Sequence, residues 1–555
     1  MKKNFLVVCL LCGIGVLYPQ VVTNFYREAD KDSMNHWVDS QMSTMTLDEK
    51  IGQLFMLVVD PNPRPGTVKI ISSHIKNYHV GGILFARGLP ADQVASTNIY
   101  QSEAKIPLMI ALDGEWGLAM RLNGTTQFPK TLSLGAVTDR QLLERYGEEV
   151  GRQCREMGIH INFAPALDVI DSLYHLSLRM RSFGHNPEWV SGHANAYARG
   201  LERRGVMAVA KHFPGHGHTA EDSHIQTAFV GLSRGQLEKS SLYPFRSYIN
   251  NGFSGIMNGH FCSPALDSVS GLPTSLSALV TPALLKKEMG FSGLVFSDAL
   301  VMKVADTKEN VCVLALLAGN DVLVSPPRIQ DDFSAVRNAV RNGQIPLSEI
   351  DAKCRKILSY KYMFGLNAFY PLEEAGLMSR LNTPFTEELA WRLSVESVTL
   401  LKKEKSVFPL EKGEWRNTVV AAFGTPAPDG VKYLPCRNYF QIGKTVDNQS
   451  LFSFKQRFPA PETIICCIYS ESVSEKEVLR LIGDDSRYIV CFFIPPYNLG
   501  NFKNLIAGSA ASLLLYENSV YSHRAVGWIL GEGLLPTGQL PVSVKGLQSL
   551  ENIVF

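Results

Sequence analysis

Val206-Met207-Ala208-Val209-Ala210-Lys211-His212-Phe213-Pro214-Gly215-His216-Gly217-His218-Thr219-Ala220-Glu221-Asp222-Ser223-His224 passes within a few positions from an unbroken apolar run to a dense group of polar residues. Consecutive apolar residues from Val206 to Ala210 suit a strand buried on both faces, as parallel strands under helices are. Gly215 and Gly217 then give the backbone freedom that a regular element avoids, so the chain is expected to leave a strand and enter a mobile loop. Asp222 lies two residues from His224 in that loop, close enough for a carboxylate to orient an imidazole and raise its basicity, as an acid/base pair requires. The unit is a buried strand with its chemistry at the C-terminal end, and the unit recurs.

Short apolar runs appear at Leu54–Val59, Gly82–Ala86, Leu108–Leu112, Ile161–Ala166, Val206–Ala210, Gly255–Asn258, Leu294–Phe296 and Asp321–Val324, separated by stretches long enough for helices. These eight alternations predict parallel strands covered by helices, in a (β/α)8 barrel or an open doubly wound sheet. The polar residues choose between them. Asp113 closes the third run, Asp168 lies past the fourth, Lys211 and His212 close the fifth, His260 the sixth and Asp298 the seventh. In a barrel these ends converge on one mouth, whereas an open sheet strings them along an edge, so the barrel is the simpler account. Upstream, a polar helix is expected from Asp30 to Ser43, and Thr46 and Glu49 stand at capping-box spacing to start another.

After Asn382 the pattern changes. A helix around Glu387–Ser394 leads to Val398–Lys402, and a second α/β series follows with strands at Thr418–Phe423, Thr463–Tyr469, Tyr488–Ile494 and Ala511–Tyr516. Helices are expected between them, among others at Glu475–Ile482 and Arg524–Leu530. The expected fold class is therefore α/β, a TIM-type barrel over residues 30–385 followed by a smaller parallel α/β sandwich over 395–550. A chain of 555 residues exceeds what one core organises, which fits two domains.

The composition, 45% hydrophobic and 19% charged with a formal net charge of +2, is that of a globular protein and gives no electrostatic case for nucleic acid. Lys2 and Lys3 followed by an apolar run from Phe5 to Tyr18 have the build of a secretory signal, assigned to residues 1–22, and imply export to the periplasm or beyond. An uncleaved anchor is the alternative, and membrane association follows only if the segment is retained. Beyond it, Cys154, Cys262, Cys312, Cys354, Cys436, Cys466, Cys467 and Cys491 lack metal spacing and are read as buried thiols, with one disulfide left open.

The stretch Lys211 to Gly217 followed by Asp222-Ser223-His224 resembles the hallmark of glycoside hydrolase family 3 enzymes of the β-N-acetylglucosaminidase type. That resemblance implies a barrel-type first domain, Asp222 and His224 as the acid/base dyad, and Asp298 in Gly293-Leu294-Val295-Phe296-Ser297-Asp298-Ala299 as the nucleophile of a retaining reaction. Sugar binding is implied for Asp113 and Arg121 in Asp113-Gly114-Glu115-Trp116-Gly117-Leu118-Ala119-Met120-Arg121, for Arg181 in Arg181-Ser182-Phe183-Gly184, and for Lys211 and His212. Glu115 is kept from the same pattern, while Trp116 and Leu118 depart from it; His218 replaces a frequent Asp. Gly538 to Val542 matches the closing segment of the family's second domain.

The resemblance implies a carbohydrate substrate, an amino-sugar oligosaccharide or muropeptide, with no cofactor and no metal. Other readings are a family 3 β-glucosidase or β-xylosidase, a phosphorylase, a sugar-binding protein without turnover, and a barrel metallohydrolase using His216, His218, His260 and Asp298.

Overall fold

The computed structural model describes residues 20–170, 178–219, 228–302, 309–404, 407–411, 413–427, 430–434, 438–483 and 486–544. The N-terminal run, Asp222, His224 and Cys436 lie outside them. The first domain is built on eight parallel strands: β1 (Phe55–Val59), β2 (Gly82–Phe85), β3 (Met109–Leu112), β4 (Ile161–Asn162), β5 (Met207–Phe213), β6 (Gly255–Asn258), β7 (Leu294–Ser297) and β8 (Leu323–Val324). They pair in chain order, and β8 pairs with β1. A bridge between Phe296 and Val322 brings the two ends of the sheet together, closing the barrel.

All eight expected runs carry a strand, because a strand covered by helices outside and filled by side chains inside has no polar face. Phe55, Phe163 and Phe296 are fully buried, and the rings of the latter two meet edge to face at 5.3 Å. Helices cover the outside, among them Arg140–Glu156 and Pro187–Arg203. These two approach closely at Gly147 and Gly200: a Cβ at Gly147 would lie 2.2 Å from the Tyr197 carbonyl oxygen. The expected capping box is present, with the Glu49 carboxylate accepting the Thr46 N–H at 2.8 Å ahead of the helix Leu47–Gly52.

The second domain holds six strands, β9 (Thr399–Lys403), β10 (Thr418–Phe423), β11 (Asn438–Ile442), β12 (Thr463–Ile468), β13 (Arg487–Phe492) and β14 (Ala511–Leu514), in the order β9-β14-β13-β12-β10-β11. The expectation of a parallel sandwich needs one correction. β9 runs antiparallel to β14 at the edge where the chain arrives from the barrel, and the other pairs are parallel. The seven described cysteines are all free and buried. Among the described residues, no helix is long and apolar enough to cross a membrane.

Candidate active site

A cavity of about 720 Å³ opens at the C-terminal ends of the barrel strands, and its lining includes Asp113, Arg121, Arg181, Lys211, His212 and Asp298. The sequence scatters these six over nearly two hundred positions, and the closed sheet brings them to one mouth.

Asp113 follows β3 directly, and the backbone just beyond it is held in place. The Asn162 side chain accepts the Gly114 N–H at 2.9 Å, while the Tyr197 hydroxyl donates to the Gly114 carbonyl at 2.9 Å. Gly117 turns the chain back at φ +85°, where a Cβ would also press on Phe128 at 2.9 Å. Arg121 thereby returns to donate to Asp113 at 2.8 Å, while Lys211 donates to the other carboxylate oxygen at 2.8 Å. Lys211 lies equally close to Glu115, which accepts a fork of bonds from Arg181 at 2.9 and 2.7 Å.

The result is one ionic chain, Arg121–Asp113–Lys211–Glu115–Arg181. Burial by itself would raise both carboxyls. Lys211 with Arg121 holds Asp113 well below the ordinary range, and Arg181 with Lys211 brings Glu115 down to about 2. Leu118, where the family pattern has an arginine, is fully buried.

Lys211 and His212 are consecutive in a strand, where alternation would send them to opposite faces. The pairing of β5 with β6 shifts register between Ala210 and Phe213, a bulge that lets both address the mouth. The His212 ring donates to Asp168 at 2.8 Å, and the other Asp168 oxygen accepts the His216 N–H at 2.7 Å. Asp168, fully buried, therefore fixes both a cavity-lining ring and the start of the loop. The strand-end pattern pointed to Asp168 without a role; its partner is 44 residues away, so only the fold supplies that role.

Asp298 follows β7. Its N–H donates to the Asn258 carbonyl at 3.0 Å, and its Oδ1 accepts the Ala299 N–H at 2.8 Å. Burial raises this carboxyl, and His260, His212, the Ala299 N–H and Lys211 together outweigh that, holding it below its ordinary value and ionised at neutral pH. Among the described residues Asp298 forms no ion pair, unlike Asp113 and Glu115.

The histidines of the metallohydrolase reading have other neighbours. The His216 ring stacks on Phe261 at 4.9 Å, and His260 Nδ1 lies 2.7 Å from the Ser275 hydroxyl. Among the described residues, no group of three His, Cys, Asp or Glu is arranged to hold a metal ion.

Residues 46–360 match the family model described as the glycosyl hydrolase family 3 N-terminal domain, more than half of the 555-residue chain. The chain is 26% identical over 413 residues to a β-N-acetylglucosaminidase/β-glucosidase of Cellulomonas fimi, spanning 71% of this chain and 72% of that protein. It is 36% identical over 236 residues to a β-hexosaminidase of Nitrosomonas eutropha, across 41% of this chain and 67% of the relative. Among solved structures, a glycoside hydrolase family 3 β-N-acetylglucosaminidase from Paenibacillus sp. str. FPU-7 superposes with a TM-score of 0.76 at 27% identity, covering 90% of this chain and 99% of that one.

Proposed function

The chain belongs to glycosyl hydrolase family 3 and is a glycosidase, and from that premise we propose that it is a retaining β-N-acetylhexosaminidase. It removes terminal β-linked N-acetylglucosamine from peptidoglycan fragments or chitooligosaccharides. The observation that carries this reading is an ionised Asp298, without an ion pair among the described residues, sharing a cavity with Asp113 and Lys211. The amino-sugar substrate is supported by the names of the relatives; the peptidoglycan source and export are supported by the charged and apolar start of the chain, Lys2 to Tyr18.

Asp113, Lys211, Arg121, Arg181 and His212 hold the hydroxyls of the terminal sugar. Asp298 Oδ1 is occupied by the Ala299 N–H, leaving Oδ2 to attack the anomeric carbon. That bond forms as the glycosidic C–O bond breaks, and His224 gives its proton to the departing oxygen while Asp222 steadies the imidazolium. In the second step water adds to the anomeric carbon, His224 takes the water's proton, and Asp298 leaves as a carboxylate. Two displacements at one carbon restore its configuration. The roles of Asp222 and His224 rest on the sequence motif.

The test is hydrolysis of aryl β-N-acetylglucosaminide against aryl β-glucoside by the wild type, Asp298→Ala and His224→Ala, with the anomer of the first product read by NMR. The N-acetyl substrate should be preferred, and the β-anomer should appear first. An α-anomer removes Asp298 as nucleophile, preference for the glucoside moves the substrate class, and formation of a sugar 1-phosphate in phosphate buffer makes the enzyme a phosphorylase.

A further inference from the structure

We propose that the second domain positions Arg181 in the sugar site by clamping the strap from Leu178 to Gly184. The inference rests on the sugar-binding role given to Arg181 above. Side chains along the strap point in two directions. Leu178 and Arg181 line the catalytic cavity. Between them, Arg179 pairs with Glu471 of the second domain at 3.0 Å, and Met180 packs on the hydrophobic core of that domain.

The backbone is held as well as the side chains. The Tyr497 hydroxyl donates to the Arg179 carbonyl at 2.7 Å, the Arg179 guanidinium lies over the Tyr497 ring at 5.9 Å, and Asn498 donates to Glu471. At the far end, the His185 N–H donates to the Pro541 carbonyl at 3.1 Å. The backbones pass so closely there that a Cβ on Gly184 would sit 2.3 Å from the same oxygen.

What the clamp fixes matters because the receiving carboxylate does not move. Glu115 is 2% exposed and already shared with Lys211, so it cannot follow a displaced guanidinium. A strap released at Arg179 loosens the fork, shifts Lys211 toward Glu115 and weakens its bond to Asp113. Glu471 and Tyr497 are thus positioning residues, acting through Arg181 with no contact to the sugar. They lie outside the residues that line the cavity.

The experiment is a double-mutant cycle between Glu471→Gln/Tyr497→Phe and Arg181→Lys on the full-length chain, read as KM and kcat with aryl β-N-acetylglucosaminide. Both second-domain changes keep volume and remove only the charge and the hydroxyl. On the wild-type background they should raise KM about tenfold with kcat within about twofold, since a small displacement of a binding group costs at least that much. In the Arg181→Lys background the same changes should add less than about twofold, because the fork they position is gone. An unchanged KM beside an impaired Arg181→Lys enzyme overturns the clamp and leaves the sugar site standing, as does full additivity. If Arg181→Lys has a wild-type KM, the sugar-site reading fails and the inference falls with it.

Discussion

Two ionic clusters occupy opposite ends of the same barrel. At the mouth, Asp113 and Glu115 divide Lys211, Arg121 and Arg181 between them beside an open cavity. At the base, Asp321 just ahead of β8 lies among Lys286, Lys356 and Lys353 at 3.1, 3.2 and 3.6 Å, and also accepts the Val295 N–H. In both, neighbouring lysines or arginines overcome burial and hold carboxyls below their ordinary range.

The difference lies in the remaining hydrogen-bonding capacity. Lys286 and Lys356 at the base also donate to the Gly319 and Gly293 carbonyls, so that cluster is satisfied within the protein and ties helices to strands. The mouth keeps donors and acceptors facing the open cavity. Charge density alone therefore does not mark a site; capacity left open beside a cavity does.

The contrast breaks first at Asp298. Replacing it with alanine should lower kcat on the order of 10⁴-fold while leaving the melting temperature at or above that of the wild type, because a half-buried carboxylate with no ion pair among the described residues is removed. A loss in kcat below about tenfold would show that the nucleophile lies elsewhere. Asp321→Asn should do the reverse, costing about 3–5 kcal/mol in denaturant unfolding by leaving three lysines uncompensated, with kcat within about twofold of the wild type. If activity falls and stability holds, the two ends are not separate devices.

Lys211→Met sharpens the same contrast with a smaller effect. Loss of its charged hydrogen bonds should reduce kcat/KM about 10- to 100-fold. Glu115 and Asp113 should then titrate higher, moving the acid limb of the kcat/KM profile to higher pH; an unmoved limb means that the carboxylates do not depend on the lysine.

The smallest effect belongs to Glu202 near the base, raised to about 8 by burial despite the Ser254 N–H at 2.9 Å. Between an unfolded value of about 4.3 and that folded value the native state binds the extra proton, so stability falls as pH rises through this window. Glu202→Gln should remove the slope, so that the variant gains on the wild type as pH rises toward 8, read from melting temperature against pH. A slope that persists in the variant would assign the titration to another group.

Much of this arrangement is legible in the sequence, for a physical reason: strands buried on both faces are written as apolar runs, and barrel topology sends the residues after them to one place. What is not legible is pairing. Glu115 and Arg181 are 66 residues apart, and nothing local says that they meet. β4 is only Ile161–Asn162, so the position of Asp168 depends on the bridge from Ala166 to Lys211 rather than on the strand. β11 escapes notice because an edge strand reading Asn-Tyr-Phe-Gln-Ile is half-exposed and lacks an apolar run. The register shift in β5 has no sequence signal of its own, since no glycine marks it.

That shift also sets how this stretch tolerates change. Side chains around Lys211 and His212 can be exchanged one at a time, each with its own loss. Deleting either residue between Ala210 and Phe213 would instead take out Lys211 or His212 itself and restore an even ladder, so the bulge and one of the two cavity-lining groups are lost together. Chain length here is a stricter constraint than side-chain identity, and libraries that vary this enzyme should randomise the segment without shortening it.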